Sequence, residues 1–284
     1  MKKHKTTIIM VLFFFIGLLT LFYPTLSNYY NEKNQSKTIY NYENIIKKMD
    51  TKDFKQMKDE AIAYNKKLAE IKEPLYNYDT IKGYNKLLNI NDKGMIGYLS
   101  IDKIKVELPI YHTTSDNVLT SFTGHLEGSS LPIGGTGTHA VLSAHRGLPS
   151  SKLFSDLDKL EIGDTFIINV LDETLTYQVD KITVVKPNNI KNLKIDKNED
   201  YVTLLTCTPY GINTKRLLVR GKRIKTINQK RFVTTEGFKI NKLIAIPIIA
   251  APVVLILIII LIIKPVKKID LKKYDIYLYP NGRD

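Results

Sequence analysis

DYVTLLTCTPYGINTKRLLVRGKRI, residues 200–224, reads as two strands folded back on one another. An apolar, β-branched run over Tyr201–Thr206 ends at Cys207. Pro209, Gly211 and Asn213 then break the chain, and a second such run starts at Arg216. The same texture recurs upstream in GYLSI (97–101), KVELPIY (105–111), HAVLSAH (139–145), DTFIINVL (164–171) and LTYQVDKITVV (175–185). Pro109, Gly134-Gly135, Gly147, Pro149, Gly163 and Pro187-Asn188-Asn189 stand within or between them. Seven or more short strands with little helix between them predict a mainly β fold, either a closed barrel or a sandwich.

Before Gly97 the pattern differs. Residues 36–71 are polar and helix-compatible, with Phe54, Met57, Ile62, Tyr64 and Leu68 at mixed three- and four-residue spacing, as on an amphipathic helix. Residues 72–96 carry Pro74, Gly83, Asn89, Asn91, Asp92 and Gly94 and read as loop.

Two apolar runs lie outside this region. IIMVLFFFIGLLTLFY (8–23) follows Lys2, Lys3 and Lys5 and has no Ala-x-Ala cleavage pattern after it, which favours an uncleaved signal anchor. LIAIPIIAAPVVLILIIILII (243–263) has no charge and is long enough to span a bilayer, where its two prolines are tolerated. Two spans put both termini on one side of the membrane. Lysine counts around the first run mildly favour termini inside, whereas the second run has basic residues on both flanks and does not discriminate. The expected organisation is an anchor at 1–23, a helical extension at 24–84, a β domain at 85–225, a linker at 226–242, a second span at 243–263 and a cytoplasmic tail at 264–284.

The 284 residues carry a net charge of +14, with 44% hydrophobic residues, 17 Tyr and 10 Phe, too apolar for a disordered chain. The lysines of the middle region are scattered, and no helix-turn-helix or RNA-binding signature accompanies them, so nucleic acid is not an expected partner. An outward-facing basic domain beside anionic lipid or wall polymer accounts for the charge. One cysteine in the chain excludes an intrachain disulfide framework and argues against a cysteine-based zinc site.

The residues alone leave Cys207 as either an inert small hydrophobe or a reactive thiol. A strand end is a rigid mount for an exposed nucleophile, but a thiol with a pKa of about 8.5 needs a base or cation beside it at neutral pH. Among the histidines, His145 stands at the end of its strand and runs into a turn, mirroring Cys207. His112, His125 and His139 are expected to make ordinary hydrogen bonds. Arg216 begins the return strand and can be brought beside the thiol, where a guanidinium could hold an oxyanion or a substrate carbonyl. Its bland alternative is a surface ion pair.

SAHRGLPSSKLFSDLDKL (143–160) and TLLTCTPYGINTKRLLVRGKR (203–223) closely resemble the two signature blocks of the sortases, Gram-positive transpeptidases, and look most like class C, the pilus-polymerising branch. GMIGYLSIDKIKVELPIYHTTSDNVL (94–119) and GHLEGSSLPIGG (124–135) extend the resemblance over roughly residues 85–225. It implies an eight-stranded β-barrel between two membrane helices, with the catalytic domain on the extracellular face of the cell membrane. It also implies Cys207 as nucleophile, His145 as general acid/base and Arg216 as the oxyanion or positioning group, with no metal or organic cofactor. The substrates would be LPxTG-type pilins or surface proteins, and the acceptor a pilin lysine. Hydrolytic proteolysis, attachment to the cell wall and a non-catalytic scaffold role are the alternatives. Class C sortases carry a lid with an Asp-Pro-aromatic motif, in which the acid meets the catalytic arginine. The counterpart here is Glu73-Pro74-Leu75, which implies a lid over residues 72–82 tied by Glu73 to Arg216. Leu75 departs from the aromatic, which leaves Tyr76 or Tyr78 to supply a ring.

Overall fold

The computed structural model describes residues 2–90, 93–226 and 254. The expected linker, second span and tail therefore lie outside the described residues, apart from Thr226 and Val254. The chain divides into two units, Thr20–Gly237 and Met1–Leu19 with Phe238–Asp284, and the first carries the β domain.

Eight strands close into one barrel. They are β1 (Met95–Ile101), β2 (Val106–His112), β3 (Thr123–His125), β4 (Thr138–Ser143), β5 (Thr165–Val170), β6 (Glu173–Val185), β7 (Asp200–Thr208) and β8 (Lys215–Ile224). The order around the barrel is β1-β2-β3-β4-β7-β8-β6-β5. The pairs β2/β3 and β4/β7 are parallel and the rest antiparallel. Closure leaves no sheet edge open to pairing with other chains. Of the two expected architectures, the barrel is the one formed. β3 has only three residues, too few to show an alternating pattern, and it escaped the reading of the sequence. The HAVLSAH run is paired only as far as Ser143, so His145 stands just beyond the end of β4 rather than on it.

The strand period of two sorts β7 cleanly. Val202 and Leu204 point into the main core with Ala140 and Leu142 of β4 and Leu217 and Val219 of β8. Their neighbours in sequence, Val141, Leu205 and Leu218, form a second, smaller apolar cluster on the opposite face of the same strands. Two faces are thus apolar in this part of the wall, and only one of them is the barrel interior.

Two long helices precede the barrel. α1 (Lys2–Ile46) continues through Pro24, past the expected end of the anchor. Its later turns bury Gln35, Ile39, Tyr42 and Ile46, a stripe at three- and four-residue spacing that docks on the barrel. The Tyr42 hydroxyl donates to Ile96 O at 3.0 Å and accepts from Leu171 N at 2.8 Å. Its earlier turns leave large apolar side chains bare, among them Phe13 (68% exposed) and Leu21 (70%). Among the described residues, one helix is long and apolar enough to cross a membrane, over Leu12–Ile46. α2 (Thr51–Glu70) buries Ala61, Tyr64, Asn65 and Leu68. The Asn65 amide exchanges two hydrogen bonds with the backbone of Leu131, 2.7 and 3.1 Å, and so satisfies a buried polar side chain and a loop peptide together.

Candidate active site

Strand register decides which side chains meet. In the antiparallel β7/β8 pair, Cys207 lies directly opposite Arg216. In the parallel β4/β7 pair, Val141 aligns with Thr203 and Ser143 with Leu205, and continuing that register by two residues sets His145 beside Cys207. Alternation puts all three on the face that carries Val141, Leu205 and Leu218, outside the barrel core. Cys207 and Arg216 therefore face each other across β7 and β8, His145 follows the end of β4 on the other side of β7, and each is partly exposed. Facing Cβ atoms in an antiparallel pair are about 4.5–5.5 Å apart, close enough for the thiol and the guanidinium to serve one reacting centre.

The other histidines of the barrel are committed elsewhere. His112 Nδ1 lies 3.0 Å from Gly94 O. His125 donates from Nε2 to Ser130 O at 2.8 Å and accepts at Nδ1 from the Tyr84 hydroxyl at 2.7 Å. His139 donates from Nδ1 to Lys194 O at 2.9 Å and accepts at Nε2 from Thr203 Oγ1 at 2.7 Å. Burial pushes His125 and His139 down to about 4, so both are neutral near pH 7. The His145 ring makes no hydrogen bond among the described residues.

The same outer face carries a small apolar cluster. Val141, Leu193 and Leu218 form its centre, with Leu126, Val185 and Leu205 against them. Leu75 packs into the same cluster, one pleat away from the Cys207–Arg216 pair. The segment that brings it there is a helical turn, Pro74–Asn77, lying against Gly128. A Cβ on Gly128 would stand 2.5 Å from Pro74 O and 2.7 Å from Leu75 Cα, so only glycine lets the two segments come this close. Leu75 thus packs on the outer face that carries Cys207, but the expected tie between Glu73 and Arg216 is not formed. Glu73 is exposed, with φ 55, and pairs with no cation among the described residues. Arg216 instead donates from Nη1 to the carbonyls of Asn213 (3.2 Å) and Lys215 (3.1 Å). Tyr76 and Tyr78 stay 61% and 37% exposed. The aliphatic Leu75 holds the segment where a charge pair was expected.

A cavity of about 840 Å³ is elsewhere. It lies between α2 and the opposite end of the barrel, lined by Lys58, Gly135, Glu173 and Arg223 among others. That end of β7 is about 23 Å from Cys207 at ~3.3 Å per residue. Of its charged groups, Lys58 pairs with Glu173, and Arg223 lies 3.9 Å from Asp200, which accepts from the Gly135 amide at 2.8 Å and the Tyr177 hydroxyl at 3.0 Å. Among the described residues, no cluster of three His, Cys, Asp or Glu side chains is placed to hold a metal ion.

The sortase domain profile matches residues 99–224. Sortase A of Bacillus anthracis is 25% identical over 229 residues, covering 81% of this chain and 99% of that protein. The crystal structure of sortase C1 from Streptococcus agalactiae is 49% identical, with a TM-score of 0.62, and covers 67% of this chain and all of its own. Sortase C-1 of Streptococcus pneumoniae is 42% identical with a TM-score of 0.61, covering 67% of this chain and all of its own. The chain belongs to the sortase family, and its structural neighbours make it a class C sortase. It is accordingly a cysteine transpeptidase of a membrane-associated family that acts on LPxTG-type surface proteins.

Proposed function

We propose that Cys207, His145 and Arg216 are the catalytic residues, and that the enzyme joins pilin subunits at the outer face of the cell membrane. The observation that carries this is the register that sets Cys207 opposite Arg216 and, continued past the end of β4, His145 beside Cys207, with a His145 ring that makes no hydrogen bond among the described residues. An extended sorting signal occupies the apolar outer face once the Leu75 segment has moved off it. The Cys207 thiolate attacks the Thr carbonyl carbon of the LPxTG-like signal, and the Arg216 guanidinium leaves its carbonyl partners to hold the oxyanion. His145 gives a proton to the departing Gly amine as the C–N bond breaks, leaving a thioacyl enzyme. A lysine amine then attacks that thioester, His145 takes its proton, and the Cys207 thiolate departs as the new amide forms.

In this reading residues 1–23 anchor the chain and 24–84 form the extension and lid. Residues 85–225 are the catalytic barrel, 226–242 a linker, 243–263 the second span and 264–284 a cytoplasmic tail. The bare apolar side chains on the early turns of α1 and the uncharged run 243–263 support a two-pass topology. Incubating the purified enzyme with a candidate pilin should give an SDS-stable ladder that Cys207→Ala abolishes. Cleaved monomer alone, in the presence of a lysine donor, would favour hydrolysis, and polymer from Cys207→Ala would end the assignment of the nucleophile.

A further inference from the structure

The pairing of β4 with β7 stops at Ser143. Beyond it the last links are Ala144 N to Leu205 O at 3.2 Å and Thr206 Oγ1 to Ala144 O at 2.8 Å. No strand ladder holds His145 beside Cys207, although their spacing has to be kept. The next residue, Arg146, is buried, with its side chain 7% exposed. Its Nη2 donates to Asp158 Oδ2 at 2.5 Å, and its Nη1 makes a long contact of 3.5 Å to Thr208 Oγ1. The guanidinium carbon lies 5.6 Å from the centre of the Tyr210 ring. Thr208 directly follows Cys207, and Tyr210 lies in the loop from β7 to β8. One guanidinium therefore gathers the His145 turn, the chain leaving the thiol, and the helical turn Leu157–Lys159.

The backbone around His145 is fastened from the same side. Phe154 N donates to His145 O at 3.1 Å, and Gly147 N donates to Ser155 Oγ at 3.1 Å. Gly147 has φ +78, and a Cβ there would meet the Tyr210 ring at 3.2 Å. Burying a guanidinium is unfavourable unless it is paired, and here Nε has no hydrogen-bond partner among the described residues. A surface turn of ordinary purpose would leave such a side chain in water.

We infer that Arg146 is a positioning residue, which with Asp158 clamps the turn carrying His145 to the strand end carrying Cys207. It touches no reacting atom, and it takes over where the β4/β7 ladder ends. The inference rests on the assignment of Cys207 and His145 as catalytic. Misplacing a catalytic group by about 1 Å lowers the rate by ~100-fold, so loss of the clamp should appear in kcat and not in substrate binding.

The test uses the detergent-solubilised full chain with an LPxTG-type peptide and an amine acceptor. Reactive thiol is titrated in the same samples, so that every rate is per active Cys207. Arg146→Met, which leaves no buried charge behind, should lower kcat by about 10–100-fold with KM within about two-fold. Arg146→Lys, which keeps the charge but not the planar fork, should recover part of that loss. Asp158 is 48% exposed, so Asp158→Asn should fold even if Arg146→Met does not. It should lower kcat by about 3–10-fold at unchanged KM. Unchanged kcat in either Arg146→Met or Asp158→Asn overturns the inference, as does a loss wholly matched by loss of titratable thiol. Full activity in Cys207→Ala would instead overturn the catalytic assignment beneath it, and the two failures are read from different variants.

Discussion

Replacing Leu75 by alanine tests what holds the lid. Leu75 is largely buried in the outer apolar cluster with Leu193, Leu205 and Leu218, while Glu73 is exposed and unpaired among the described residues. Leu→Ala removes three carbons, worth about 0.8 kcal/mol each when fully buried. At about three-quarters burial the loss is about 1.8 kcal/mol, or roughly a twenty-fold shift toward the open segment. Cys207 is itself partly exposed, so a small alkylating reagent reaches it with the segment in place. The assay therefore uses a bulky peptide-linked maleimide that needs the face under Leu75, with a small reagent as the control. Leu75→Ala should raise the bulky-reagent rate about ten- to twenty-fold and leave the small-reagent rate within two-fold. Gly128→Ala should act in the same direction, because its new Cβ collides with Pro74 O and Leu75 Cα. Glu73→Ala should change neither rate by more than two-fold. An unchanged bulky-reagent rate in Leu75→Ala, or a larger effect from Glu73→Ala, would refute the reasoning.

Arg216→Lys keeps a cation opposite Cys207 but loses the planar fork, and kcat should fall by about 10²–10³-fold, the loss of one oxyanion donor. A variant within a few-fold of the wild type would make Arg216 a loop-bracing side chain that serves only the carbonyls of Asn213 and Lys215. His125 and His139 predict a pH dependence of stability. Burial lowers both to about 4 in the fold against ~6.5 in the unfolded chain, so the unfolded state binds more protons between those values. The sign follows: their contribution is full above ~6.5 and is lost as the pH falls toward 4, by about 2 kcal/mol per histidine at pH 5. Thermal unfolding from pH 7 to 5 should show this decline, and His139→Gln should flatten it. An identical slope in that variant would remove His139 from the account.

The reading of the sequence and the structure agree where the signal is local. Alternating β-branched runs and their glycine and proline breaks are consequences of backbone sterics and one-sided burial, so the strand-rich domain could be read directly from residues 97–224. The single thiol at a strand end, the arginine heading the return strand and the histidine before a turn are also local features, and the signature blocks around them carry the family. β3 was missed because three residues cannot display a period of two.

Nothing local states that His145, rather than His112, His125 or His139, faces the thiol uncommitted. The parallel register of β4 on β7 aims the chain there as far as Ser143, where the ladder ends; the two strands are more than sixty residues apart in the chain, and a one-residue slip would turn every side chain to the other face. Residues 72–82 show the same division. Their breaks and Pro74 could be read from the sequence, but the packing of Leu75 could not. Whether an acid finds an arginine or a leucine finds an apolar face depends on which strand faces turn outward together. Only the registers of β4 on β7 and of β7 on β8 set Val141, Leu205 and Leu218 on one face with Leu75 against it.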